Sequence, residues 1–152
     1  MNYNDLLKKI SLNTFADIMA VSPRKVRESL YSHYGVKQKS SLVLTSVREK
    51  KEQRVKNLFI TLQSADKPKE LEFLKELFRN WLYHQRPMLK ETLDFLNVKN
   101  DNGLVEIETD FFKEMSQSKV KELVTKLKKD FPADAIMIYL TVMEVPHLEK
   151  QF

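Results

Sequence analysis

The chain has 152 residues, of which 42% are hydrophobic and 31% charged, with 26 Lys/Arg against 21 Asp/Glu and a formal net charge of +5. That is enough chain for one packed globular domain, or a small one with an appendage. The absence of cysteine excludes disulfides and thiolate metal sites, and three histidines leave an imidazole metal site dependent on carboxylates. Two glycines are too few for a Gly-rich phosphate loop and argue against a turn-rich, all-strand fold. No run approaches the roughly 18–20 apolar residues of a membrane span, and the N-terminus lacks an apolar signal core. A cytoplasmic protein without a transmembrane segment is therefore expected.

The charge is unevenly divided. Residues 1–60 carry 12 Lys/Arg and 5 Asp/Glu, a net of +7, whereas residues 61–152 carry 14 and 16, a net of −2. The basic excess is N-terminal, which points to a polyanion partner for that half or to a solvated basic face.

In chain order, residues 4–10 read as a short helix with Leu6, Leu7 and Ile10 as its apolar side. Ser11 or Asn13 can cap a second helix running to about Met19, burying Phe15, Ile18 and Met19. In the third, Ser22 reads as the N-cap and Pro23 as the first helical position. Val26, Leu30 and Tyr34 follow at steps of four, and Gly35 stands where a helix end wants a left-handed residue.

The segment FADIMAVSPRKVRESL resembles the helix-turn-helix unit of many bacterial DNA-binding regulators, within residues 12–35. Ala16 is the small residue that allows close helix approach. Ala20, Val21 and Ser22 stand at the turn, with alanine where the family usually has glycine. Val26 and Leu30 are the core positions of the second helix. The resemblance implies that residues 23–34 form the helix that enters the major groove. Arg24, Lys25, Arg27, Glu28 and Tyr31 would then lie on or beside its exposed face. Arginine near the start of such a helix can read guanine edges, while lysine more often neutralises phosphate.

Residues 37–46 read as a hinge or helix start, and residues 47–63 as a helix with a basic first half that includes Arg48, Lys50, Lys51 and Arg54. Its charges surround both faces there, the pattern of a connector crossing solvent. Nucleic acid or an anionic membrane surface are the other partners such a helix could meet. Residues 64–68 end it.

Residues 70–98 hold the densest apolar pattern and the only tryptophan. Leu71, Leu74, Leu77, Phe78, Trp81 and Leu82 share one helical face. Pro87 predicts a break near residues 83–86 and two helices, about 69–84 and 87–97. The Lys99-Asn-Asp-Asn-Gly103 run is a turn signal, residues 104–109 read as a short extended piece, and residues 110–116 as a short helix or turn. Ser118 can cap a helix to about Asp130 with Val120, Leu123, Val124, Leu127 and then Phe131 on one face. AIMIYLTVMEV has strand-like content but no partner strand, so a buried helix is preferred.

Catalytic signals are lacking. His33, His84 and His147 have no metal-ligand spacing, and serines occur outside any nucleophile-elbow context. The cluster Trp81, Tyr83, His84, Gln85 and Arg86 at the break is the best candidate pocket lining, or simply core packing plus a polar turn. Glu91 and Asp94 could act as an acid–base pair only if buried.

The expected fold is all-α. A basic helix-turn-helix-like unit spans 1–36, a connector spans 37–66 and a helical bundle spans 67–152. The expected function is that of a small DNA-binding or regulatory protein without catalytic activity, cofactor or metal. Its nucleic-acid contacts would come from Arg24, Lys25, Arg27, Tyr31, Arg48, Lys50, Lys51 and Arg54. The alternative is a non-catalytic helical module that binds another protein or a second copy of itself through the bundle.

Overall fold

The computed structural model of the chain describes residues 1–34, 47–64, 71–105 and 110–152. Among the described residues the fold is all-α, with eight helices; the one β feature is a single bridge between Asp101 and Leu104. The chain divides into two compact units, Tyr3–Asn80 and Trp81–Phe152 with Met1–Asn2.

In the first unit, α1 (Tyr3–Lys9) buries Leu6 and Leu7. Helix α2 (Leu12–Val21) starts at Ser11, whose extended backbone (φ −78°, ψ 157°) turns its hydroxyl to accept from the Thr14 N–H at 3.1 Å. Phe15, Ile18 and Met19 face the core, as their three- and four-residue spacing requires. Helix α3 (Arg24–His33) buries Val26, Leu30 and Tyr31. Helix α4 (Val47–Ser64) lies against α1 and α2 and buries Val55, Leu58, Phe59 and Leu62. Phe59 stacks on Phe15 with ring centroids 4.9 Å apart, and the Gln63 amide donates to the Leu7 carbonyl at 2.9 Å. That carbonyl belongs to the last turn of α1, where no intrahelical N–H is available. Helix α4 is thus part of this core, and the solvent-crossing connector expected from its charged first half is not what forms. The apolar stripe of its second half decides the packing. Helix α5 (Leu71–Leu82) buries Leu74, Leu77 and Phe78 completely, and Phe78 stacks on Tyr3 at 5.8 Å.

In the second unit, the break expected near residues 83–86 is a turn in which His84 N–H donates to the Trp81 carbonyl and Gln85 N–H to that of Leu82. Helix α6 (Arg86–Phe95) begins one residue earlier than expected, because Pro87 is tolerated in a first turn whose N–H groups have no helical partner. It ends in a Schellman arrangement: Val98 N–H donates to Leu93 and Asn97 N–H to Asp94, with Asn97 left-handed at φ 56°. Asn100 pins the following turn, donating to the Asp94 carboxylate and the Val98 carbonyl and accepting from Gly103 N–H, each at 3.0 Å.

A 3-10 turn at Asp110–Phe112 precedes α7 (Gln117–Leu127). Ser116, with extended backbone, caps α7 by accepting from Lys119 N–H at 3.4 Å; Ser118, the expected cap, is already helical and its hydroxyl lies 3.0 Å from that of Ser116. Helix α7 packs on α6 and buries the four residues Val120, Leu123, Val124 and Leu127, with Phe131 half-buried beyond it. The segment AIMIYLTVMEV contains the greater part of a helix, α8 (Ala133–Val142), buried at every position from Ala135 to Val142. Its end repeats the Schellman arrangement, with Glu144 left-handed at φ 56°. Gly35, the hinge at 37–46, the helix stop at 65–68 and residues 106–109 of the expected extended piece lie outside the described residues.

Candidate nucleic-acid interface

The link between α2 and α3 is two residues, Ser22 and Pro23, both extended. Ser22 is not the N-cap of α3. Its buried hydroxyl donates back to the Ile18 carbonyl at 2.6 Å, closing the end of α2. Pro23 takes the cap position instead, its carbonyl accepting from Arg27 N–H at 3.2 Å. Ala20 continues α2 in helical conformation, and none of Ala20, Val21, Ser22 and Pro23 is left-handed.

Arg27 is half-buried. Its Nη1 donates to the carbonyls of Met19 at 3.1 Å and Ala20 at 3.4 Å, so the guanidinium closes the last turn of α2. Arg24 and Lys25 are exposed in the first turn of α3, and Lys51 is exposed on α4. Val26 and Leu30 turn inward, so Arg24, Lys25, Glu28 and Ser32 share the outer face.

Tyr31, expected on or beside that face, is 6% exposed. Seven residues after Arg24, it lies on that residue's side of the helix, and the guanidinium of Arg54 lies over it, 3.8 Å from the ring centroid. Burial raises the Tyr31 phenol above its ordinary range, against the opposing pull of Arg54 and Arg27. Arg54 in turn meets Glu28 in a two-pronged pair, Nη1 to Oε1 at 3.3 Å and Nη2 to Oε2 at 3.2 Å. The structure therefore brings Tyr31, Arg54 and Glu28 together and leaves Arg24, Lys25 and Lys51 facing solvent. The side chains of Arg48 and Lys50 lie outside the described residues. Glu28 gains its weight from the Arg54 pairing, a contact 26 positions away in sequence for which no local pattern gives a signal.

The cluster around the chain break separates. Trp81 is buried at 7% exposure, while Tyr83 is 60% exposed and His84 faces solvent. Glu91 and Asp94 do not form a pair: Glu91 faces Lys126 at 3.9 Å, and Asp94 is bound by Lys90 and Asn100. Those two hydrogen bonds hold the Asp94 carboxyl below its ordinary range. Among the described residues there is no cluster of three metal-ligating side chains and no helix long and apolar enough to cross a membrane. No protein-family model matches the chain, and no curated protein or solved structure matches it.

Proposed function

We propose that the first unit binds duplex DNA through the outer face of α3, in a small regulatory protein whose role is binding rather than catalysis. The observation that supports this most is the placement of Arg24 and Lys25. Both are exposed in the first turn of a helix whose opposite side is buried at Val26 and Leu30 and whose base is tied to α2 by Arg27. Two exposed cations in the first turn of a helix suit a guanine edge and a phosphate. The net +7 of residues 1–60 would supply the longer-range attraction. Arg27 and Arg54 serve here as supports for the face rather than as contacts.

The test is binding of the protein to labelled duplex DNA across a salt series, beside the double variant Arg24→Ala/Lys25→Ala. Arg27 is left intact because its loss would loosen α2. The wild type is expected to bind with an affinity that falls steeply with salt. The variant is expected to bind more weakly, with a log–log slope smaller by about one to two. An unchanged slope in the variant would move the contact to the basic half of α4. Absence of binding at low salt would sink the DNA reading and favour a helical module that binds protein.

A further inference from the structure

Glu28 is the one acidic residue of α3, and it stands in the middle of the face proposed to meet DNA. A free carboxylate there would repel phosphate. Its surroundings are those of a held group. The Tyr31 ring is buried in the same helix, three residues on; the Arg54 guanidinium lies over that ring, 3.8 Å from its centroid; and the two terminal nitrogens of the guanidinium meet the two oxygens of Glu28. Fork-to-fork pairing fixes the plane of a carboxylate as well as its position. The exposures give the order of the layers: the Arg54 side chain is 24% exposed and that of Glu28 49%. The arginine is inside and the carboxylate outside. Each carboxylate oxygen has a second lone pair beyond the one that Arg54 takes, so the outer edge remains an acceptor.

Resting on the DNA reading above, we infer that Glu28 is a base-reading residue, set in place by Arg54 on the Tyr31 ring, and that it selects cytosine in the major groove. Cytosine offers its N4 amine there, the donor that a carboxylate accepts. Guanine and thymine present acceptors to the same spot and are rejected by repulsion between lone pairs. Adenine offers one donor beside an acceptor at N7, which a carboxylate leaves unsatisfied. Arg24 lies four residues before Glu28, roughly 6 Å along the helix axis. That is about two base-pair steps at ~3.4 Å each. The preferred duplex therefore carries a guanine for Arg24 within about two steps of the cytosine for Glu28, since rise along α3 sets the upper limit of their separation along the DNA axis. Arg54 is a positioning residue: it touches no base, and its pairing also cancels the charge that Glu28 would otherwise turn toward phosphate.

The experiment is selection of duplexes from a randomised pool by the wild type, Glu28→Gln, Glu28→Ala and Arg54→Met, with thermal unfolding recorded for each. Wild type is expected to enrich cytosine at one position, and a change of that base to thymine is expected to weaken binding about tenfold. Glu28→Gln is expected to fold as the wild type does and to move the preference to adenine, because an amide donates to N7 while accepting from N6. Glu28→Ala is expected to lose the preference at that position alone. Arg54→Met is expected to blur it and to weaken binding to all sequences, since the carboxylate is then both loose and unneutralised. If Glu28→Gln selects the same sequences as the wild type, Glu28 is an ion-pair partner only and the inference fails. Salt-dependent binding by the wild type with no enriched base overturns base reading while leaving DNA binding intact. Absence of any binding overturns both.

Discussion

The two units differ in how the ends of their helices are closed. In the first, Arg27 and Arg54 reach from their own helix to another, one to carbonyls of α2 and the other to the carboxylate of Glu28 on α3. In the second, polar groups close the ends of helices within a few residues: Asn97 and Glu144 in Schellman turns, Asn100 across the turn to Gly103. Every left-handed residue among those described, Asn97, Asn102, Gly103, Glu144 and His147, belongs to the second unit. The lesson is that the end of α2 is closed by a guanidinium reaching back from the next helix. A unit organised around a buried helix is instead closed by its backbone, and its sensitive points are where the chain turns.

That contrast breaks most visibly at Gly103. Its φ of +84° is unfavourable for any other residue, and an added Cβ would stand 2.9 Å from the Leu89 Cβ, 2.9 Å from the Lys90 nitrogen and 3.0 Å from the Arg86 carbonyl oxygen. Two of these are backbone atoms of α6 and cannot move aside cheaply. Gly103→Ala is expected to cost ~3 kcal/mol, combining left-handed strain with overpacking, and a denaturant titration would read it as a lowered midpoint. A cost under about 0.5 kcal/mol would mean that the turn yields easily and the backbone closure is weaker than its geometry suggests.

A smaller effect sharpens the picture of the buried helix. Tyr139 is 1% exposed on α8, edge-on to Phe112 at 6.0 Å. Burial pushes its phenol far above the ordinary value of 10.0, against a small opposing effect of Thr92. The native state thus keeps a proton that the unfolded chain gives up. The stabilisation is complete below about pH 10 and is lost as pH rises beyond it toward the folded-state value. Unfolding of the wild type followed from pH 8 to 11 is expected to show stability falling above pH 10. Tyr139→Phe is expected to flatten that fall, since it removes the titrating phenol and keeps the ring that packs on Phe112. An equally steep fall in the variant would assign the alkaline loss to other groups.

The smallest expected change has the opposite sign. Glu144 holds φ 56° at the end of α8, and its carboxylate faces Lys113 at 3.8 Å with both side chains more than half exposed. So exposed a pair adds little. Glu144→Gly is therefore expected to stabilise by about 0.5–1 kcal/mol, which a raised unfolding midpoint would register. A lowered midpoint would show that the carboxylate matters more than the strain.

Much of the fold was legible because helical periodicity is local. The burial of Phe15, Ile18 and Met19, the capping by Ser11, and the helical state of AIMIYLTVMEV all follow from neighbours within a turn or two or from the lack of a pairing strand. Caps were less legible where two serines compete. Ser116 and Ser118 are equal candidates by type, and only the extended backbone at Ser116 decides between them. On α3, the exposure of Arg24 and Lys25 could be read from the register set by Val26 and Leu30. Two other placements could not. A guanidinium can turn outward or fold back, and the carbonyls at the end of α2 draw Arg27 inward. The descent of Tyr31 beneath Arg54 depends on α4 lying beside α3, a tertiary fact that no spacing within either helix encodes.

The all-round burial of α8 also bears on the order in which the second unit can form. During synthesis α6 and α7 leave the ribosome before it, with Met88, Leu89, Leu93, Val120, Leu123 and Val124 already made while the most completely buried helix of the unit is still to come. Until Ala135–Val142 arrive, the core of this unit is incomplete, the condition in which nascent chains associate wrongly or engage chaperones. The first unit carries a lighter version of this burden, since α1 and α2 precede the α4 stripe that covers them. Slowed translation just before α8 would therefore prolong the most exposed interval in the life of this chain.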